Sequence, residues 1–219
     1  MYKILKNLVE VDDYALQKIG SSQGGRLPKE YQEVNYIEST GTQYIDLGIV
    51  LNADSGFYID FVPENKPASS NAPNYINAGG TGGSSDYRVG INVYSTLPSS
   101  VSGEVQFFSF KKDPKITKDA RNRLSIINKV LTYNDGTSEN ISTWSSIEAS
   151  NSLILFAAHN NTVDRFSTMK LYNFKVYDKE EVIMDLVPCY RKAGNEVGLY
   201  DIVNKTFYIN EGTGSFIYE

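Results

Sequence analysis

The chain has 219 residues, a length that suits one β-sandwich with a short appendage and is short for two domains with full cores. Hydrophobic residues make up 41%, charged residues 21% and aromatic residues 12%, with 16 tyrosines and 10 phenylalanines, so the composition is globular and excludes disorder. The net charge of −5 and a pI near 5.1 provide no basic field to neutralise phosphates, which argues against nucleic acid and anionic membrane as partners.

Residues 1–25 differ in composition from the rest of the chain. A mixed segment, 7–19, is followed by a glycine- and serine-rich run, 20–25, that is typical of a linker. The segment is too short to bury a core of its own, so we predict an N-terminal arm. It either anchors to a neighbouring chain or folds back on its own sandwich.

The sequence lacks the usual signals for export and membrane insertion. Residues 1–6 do not have the apolar region and small-residue cleavage site of a signal peptide. No apolar stretch approaches the roughly 20 residues of a membrane span. If the protein works outside a cell, we expect it to leave by another route than the usual secretory signal.

From Leu27 onward, turn residues punctuate short runs rich in Tyr, Ile, Val and Phe, which is typical of an antiparallel sandwich. No long helical periodicity appears past residue 28, which argues against a parallel α/β fold. The pattern predicts about fourteen strands: Glu33–Glu38, Thr42–Leu47, Gly56–Val62, Tyr75–Ala78, Tyr87–Tyr94, Glu104–Phe110, Arg123–Ile127, Val130–Tyr133, Leu153–Ala158, Met169–Tyr177, Glu181–Val187, Gly198–Ile202, Thr206–Ile209 and Ser215–Tyr218.

Alternation is clearest in the strand predicted at Met169–Tyr177. Strict period two places Met169 and Leu171 on one face and Phe174 and Val176 on the other. Both faces would then carry apolar bulk. The pattern therefore predicts a strand that is covered on both sides and central in its sheet.

Two stretches carry a resemblance to a known domain type: residues 27–46, and residues 167–178 continuing through 191–192, 198–201 and 207–216. Together they resemble the LamG-like, concanavalin A-type jelly-roll domains in structural proteins of phages and prophages of gut bacteria, both Firmicutes and Bacteroidetes. The resemblance implies an all-β jelly-roll β-sandwich of two antiparallel sheets over residues 26–219, with residues 1–25 as a short arm. It also implies that rim loops or the concave face are available for glycans or protein partners.

The motifs within this resemblance also have a structural interpretation. Residues 39–42 read as a hairpin turn in which Gly41 takes a positive φ, and residues 210–214 read as a similar turn near the C-terminus. Such conformational demands explain these residues without any ligand. The domain type is therefore not specific for one task.

The sequence provides few groups for catalysis. A retaining glycosidase needs two carboxylates on one strand face, and the strands show no such alternating pair: Asp60 and Glu64 straddle Pro63. The only histidine, His159, has no G-x-S-x-G motif to accompany it. The single cysteine, Cys189, follows an apolar run, which favours a buried, inert thiol. We therefore predict that the protein is not an enzyme.

Metal and phosphate sites have weak support. One His and one Cys cannot fill a zinc site, so we predict no metal centre. Calcium stays open, because Asp86, or Asn160 and Asn161 with Asp164, could supply oxygen ligands, although no D-x-D-x-D-G pattern accompanies them. The basic pairs 111–112 and 121–123 are interpreted as solvated loop charge.

A glycan site needs planar side chains and amides along a shallow groove. The sequence offers two groups of candidates, one on the strand predicted at Tyr87–Tyr94 and one around the loop after His159. The predicted ligand-binding residues are Tyr87, Arg88, Asn92, Tyr94, Trp144, His159, Asn160 and Asn161.

The resemblance favours a non-catalytic virion structural protein, a fibre, tail or head-surface component whose lectin-like domain contacts a host-surface glycan or protein. Its implied partners are other virion proteins through residues 1–25, a host glycan and further copies of the chain as a homo-oligomer. The alternatives are a secreted or surface bacterial carbohydrate-binding module, a purely structural decoration protein and a glycoside hydrolase. The location is the virion in the first case and the extracellular space or bacterial surface in the second.

Overall fold

The computed structural model describes residues 25–64, 74–78, 89–96, 101–107, 110–112, 116–117, 119–141, 149, 151–160 and 162–219. The predicted arm, 1–25, lies outside the described residues except for Gly25, so its role stays a prediction. In the described part of the chain the backbone forms 19 strands and no helix. Accordingly, these residues contain no helix long and apolar enough to cross a membrane.

Eleven strands form a large antiparallel sheet: β1 (Tyr31–Glu33), β2 (Ile37–Thr40), β4 (Ser55–Pro63), β9 (Asn122–Ile127), β10 (Val130–Thr132), β11 (Ser138–Asn140), β15 (Thr168–Asp178), β16 (Glu181–Arg191), β17 (Glu196–Asp201), β18 (Thr206–Ile209) and β19 (Ile217–Tyr218). Its main path runs β11-β10-β9-β4-β15-β16-β17-β18. Strand β2 pairs with the N-terminal end of β15, and β1 pairs with the C-terminal end of β16. Strands β15 and β16 therefore diverge, and β1, β2 and β19 occupy the space between them.

Six strands form a smaller sheet in the order β3-β12-β5-β6-β7-β8. Their bounds are β3 (Ile45–Asp46), β5 (Asn74–Ala78), β6 (Val89–Thr96), β7 (Val101–Phe107), β8 (Phe110–Lys112) and β12 (Leu153–Leu155). A separate hairpin joins β13 (Ala158–Asn160) to β14 (Thr162–Asp164).

The two sheets pack face to face around one apolar core. Phe57 of the large sheet lies 6.2 Å from Phe107 of the small sheet and 6.3 Å from Phe174 on the neighbouring strand, measured between ring centroids. All three side chains are fully buried. The predicted all-β fold of two antiparallel sheets is therefore confirmed.

Strand β15 is central, as predicted, but its apolar side chains do not divide between two faces. The register with β4 shifts between Leu171 and Asn173, so Tyr172 is an extra residue in a β-bulge. The bulge resets the period-two alternation and brings Met169, Leu171, Phe174 and Val176 into the core. The prediction that both faces carry apolar bulk was wrong, because it assumed an uninterrupted strand.

Other strand boundaries differ from the predicted ones for local reasons. The strand predicted at Leu153–Ala158 breaks at Phe156, whose φ is +71°. The strand predicted to end at Val187 continues through Pro188 to Arg191. The Pro188 carbonyl accepts a hydrogen bond from the Val34 amide, just after the end of β1. Proline is tolerated here because the N–H that it lacks would point to that same side, where β1 no longer pairs with β16.

The two glycine turns meet in space and join the beginning of the domain to its end. Gly41 has φ +102° and Gly214 has φ +73°, as the turn interpretation requires. The Thr213 amide donates to the Thr42 carbonyl at 3.1 Å, and Thr42 Oγ1 donates to the Thr213 carbonyl at 2.8 Å. A Cβ on Gly212 would overlap the Thr42 carbonyl oxygen. These motif residues therefore have a structural role.

Candidate functional site

The face of the large sheet that points away from the core carries polar and aromatic side chains. On β4 the core residues Phe57 and Ile59 alternate with Tyr58 and Asp60. In the sheet register Asp60 lies opposite Arg123 of β9. We call this surface the outer face; it brings together side chains that lie far apart in the sequence.

Asp60 is shared by two arginines. Arg121 donates to it from Nε at 2.7 Å and from Nη2 at 2.9 Å, and Arg123 donates from Nε at 3.0 Å. The Asp60 side chain is only 5% exposed, whereas those of Arg121 and Arg123 are 43% and 53% exposed. Two solvent-facing guanidinium groups are thus held at defined positions by one buried carboxylate.

The loop before β9 fixes the position of Arg121. Asn122, which is 1% exposed, accepts from the Thr117 amide at 2.9 Å and donates to the carbonyls of Thr117 and Ala120 at 2.8 and 2.6 Å. This buried amide substitutes for backbone pairing in the loop. Because Arg121 directly precedes Asn122 in the sequence, the backbone that carries the Arg121 side chain is held in place.

Two tyrosines extend the arginine pair across the sheet. Tyr172, the bulge residue of β15, lies under the Arg121 guanidinium. The Cζ atom of Arg121 is 4.1 Å from the centroid of the Tyr172 ring. The Tyr36 ring is 5.4 Å from Tyr172, and Lys170 Nζ is 4.9 Å from the Tyr36 ring centroid. We name this row the cation–tyrosine ladder; its members are Lys170, Tyr36, Tyr172, Arg121, Asp60 and Arg123.

Burial changes the acidity of the tyrosines on this face. Desolvation, followed by the charge of Asp60, raises the pKa of Tyr58 to about 12, and the two arginines only partly oppose this. Desolvation and a hydrogen bond to Glu219 raise the pKa of Tyr36. Both phenols therefore remain neutral hydrogen-bonding groups near neutral pH.

A carboxylate pair that the sequence did not predict lies at the Lys170 end of the ladder. Lys170 Nζ is 3.3 Å from Glu64 Oε1 and 3.8 Å from Glu38 Oε2. Burial, and then the charge of Glu64, raises the pKa of Glu38, and the charge of Lys170 opposes this. Lys170 therefore forms an ion pair with both carboxylates at this end of the ladder.

The residues predicted to bind a ligand lie elsewhere. Asn92 and Tyr94 are on β6, and His159 and Asn160 are on β13, where they pair with Val163 and Thr162. Strand β6 pairs with β5, and β13 lies close to β5 as well, so the structure brings these two strands into one region.

The structure describes only the backbone of these four residues. Tyr87, Arg88, Trp144 and Asn161 lie outside the described residues, as does Asp86 of the calcium hypothesis. The predicted glycan site and the calcium site stay predictions. Within the described ranges, no three His, Cys, Asp or Glu side chains form a group that could hold a metal ion.

Cys189 is fully buried in β16, as predicted. Desolvation raises the pKa of its thiol from 9.0 to about 12, so the thiolate that would act as a nucleophile is disfavoured. This supports an inert packing role.

Sequence reasoning missed the cation–tyrosine ladder. It interpreted residues 121–123 as solvated loop charge, although the strand predicted at Arg123–Ile127, which the structure confirms, already included Arg123; both arginines are in fact ion-paired. The available signal was period-two spacing, since Tyr58 with Asp60 and Arg121 with Arg123 each share one side of an extended chain. What the spacing could not give was the register that pairs β4 with β9.

No protein-family model and no curated protein matches the chain. Three similar solved structures are of the CBM40 domain of the Ruminococcus gnavus IT-sialidase. The first, bound to α2,3-sialyllactose, is 19% identical with a TM-score of 0.41, and covers 71% of this chain and 92% of its own. The domain itself is 18% identical with a TM-score of 0.41 and covers 70% and 92%. The form bound to α2,6-sialyllactose is 18% identical with a TM-score of 0.42 and covers 71% and 93%. At this level the likeness carries no inference about ligand or function.

Proposed function

We propose that the chain is a non-catalytic carbohydrate-binding module and that it contacts glycans through the outer face of the large sheet. The observation that carries this proposal is the cation–tyrosine ladder. It presents aromatic rings and guanidinium donors side by side, which are the group types that recognise sugar rings and hydroxyls. In this proposal the module works at a cell surface or in a secreted protein.

The site's rigidity supports binding. Arg121 is held by both Asp60 and the Tyr172 ring, and Lys170 is held by Glu38 and Glu64. Side chains that are already ordered lose little conformational entropy when a ligand arrives. The outer face is therefore pre-organised for a flat, extended ligand such as an oligosaccharide.

The chemistry of the described residues supports binding over turnover. Glu38 and Glu64 both form ion pairs with Lys170, and the Cys189 thiol is buried with a raised pKa. Neither arrangement resembles an acid and a nucleophile facing a bound sugar. We therefore propose that bound glycans are released unchanged.

A virion role is the second candidate. The resemblance of residues 27–46 and of the stretches 167–178, 191–192, 198–201 and 207–216 to phage structural proteins favours it. Most of these residues lie in the large sheet or in the turns that close it, whereas β3 (Ile45–Asp46) belongs to the small sheet. A fibre or tail component predicts a closed homo-oligomer anchored through residues 1–25. Light scattering on the full chain distinguishes the two candidates, because an isolated module predicts a monomer.

The experiment for the proposed function is a glycan array followed by titration of the best binder. We expect saturable binding by the full chain, and at least a tenfold loss in the Tyr172→Ala variant. The matched control is Lys112→Gln. Lys112 lies on β8, at the edge of the small sheet, and its replacement removes an ion pair with Glu139 of β11, so this variant should bind as the wild type does. Incubation of the bound glycan with the protein should give no cleavage products. Absence of binding to every glycan, or cleavage that depends on Glu38, would refute the proposal.

A further inference from the structure

The arginine pair carries one positive charge more than the carboxylate that it contacts. Arg121 and Arg123 share the single carboxylate of Asp60, so the three groups together have a net charge of +1. The chain as a whole has a formal net charge of −5. The arginine pair is therefore a local positive centre on the outer face of an acidic protein.

One arginine would be enough to neutralise Asp60. Arg121 already makes the bidentate pair through Nε and Nη2, and the Arg123 guanidinium adds only its Nε. Within the described part of the chain, both Nη groups of Arg123 and Nη1 of Arg121 have no hydrogen-bond acceptor. A guanidinium fork with free Nη donors has the geometry that binds carboxylate and sulfate oxygens.

The surroundings favour an anion attached to a sugar. Tyr172 lies against Arg121, and the Tyr58 hydroxyl is 3.5 Å from Asp60 Oδ2, so neutral aromatic side chains border the charged centre. A free inorganic anion would use the guanidinium groups alone. A glycan that carries the anion would also contact the rings and so use the whole surface.

We infer that the outer face recognises acidic glycans, with a carboxylate or sulfate group bound between the free donors of Arg121 and Arg123. This inference rests on the proposed function and adds the class of ligand to it. Binding then depends on Arg123 in particular, since Arg123 contributes the larger share of free donors.

The test uses the full chain and three sets of oligosaccharides: neutral, carboxylated and sulfated. Oligogalacturonides and their methyl esters give a matched pair in which the same backbone does or does not carry the charge, and carrageenan oligosaccharides before and after desulfation give another. We expect binding within the acidic sets only, at least tenfold weaker in Arg123→Gln and unchanged in Lys112→Gln. The Arg123→Gln variant keeps the bidentate pair between Arg121 and Asp60, so it should fold.

Salt provides a second measurement. Raising the ionic strength from about 0.05 M to about 0.5 M should weaken binding of the acidic ligand markedly, because screening acts on exposed charges. The carboxylated and sulfated sets show which anion is preferred. Equal binding of neutral and acidic glycans, with no effect of Arg123→Gln, would overturn this inference and leave the proposed function standing. Absence of binding to all three sets would overturn both.

Discussion

Replacing Gly212 by alanine tests whether the C-terminal glycine motif has a structural role. A Cβ at this position would overlap the Thr42 carbonyl oxygen and lie 3.1 Å from Gln43 Cα, both in the backbone of the opposing turn. Relief requires the two turns to separate, which weakens the hydrogen bonds between Thr42 and Thr213. Overpacking costs about 1–3 kcal/mol and each hydrogen bond contributes about 0.5–1.5 kcal/mol, so we expect a loss of about 2–6 kcal/mol.

The assay for this variant is thermal and urea unfolding followed by circular dichroism. For a chain of this length each kcal/mol lowers Tm by about 2–4 °C, so the smallest expected shift is about 4 °C. The control is Gly25→Ala, where a Cβ meets nothing within 4 Å, and it should match the wild type. If Gly212→Ala were within about 0.5 kcal/mol of the wild type, the close approach would not explain the glycine.

Further predictions concern three buried residues. Phe57→Ala should lower the free energy of unfolding by about 3–5 kcal/mol in urea titrations, because it opens a cavity between the two sheets. The Cys189 thiol should resist thiol reagents in the folded protein and react on unfolding. Because folding raises its pKa from 9.0 to about 12, stability should fall as pH rises above about 9, and Cys189→Ala should flatten the pH 9–10 part of that curve. Asn122→Ala should cost about 1–3 kcal/mol and also weaken glycan binding in the same titration, because the loop that positions Arg121 loses its buried amide.

The strand content and the two-sheet architecture could be predicted from the sequence because period-two runs and glycine turns are local signals. The turn at Gly41 is an example, since a glycine in a short polar run between two predicted strands indicates a tight turn with a positive φ. The bulge at Tyr172 is different. It becomes visible only when β15 is paired with β4, because a single strand contains no information on where its partner shifts register.

The candidate site could not be predicted for a related reason. Asp60 and Arg123 are 63 residues apart, and their contact depends on the pairing of β4 with β9. The sequence analysis interpreted the two arginines as solvated charge because turn residues lie beside them, although Arg123 begins a predicted strand. It therefore directed attention to strand β6 and the His159 loop, and the glycan site predicted there stays a prediction.

The most direct test of the account is to locate the bound glycan by NMR, using a labelled full chain and the best ligand from the array. The account predicts that amide shifts on saturation cluster on β4, β9 and the bulge of β15, with Tyr58, Arg123 and Tyr172 among the largest. Shifts that instead cluster on β6 and β13 while the outer face stays unchanged would contradict it.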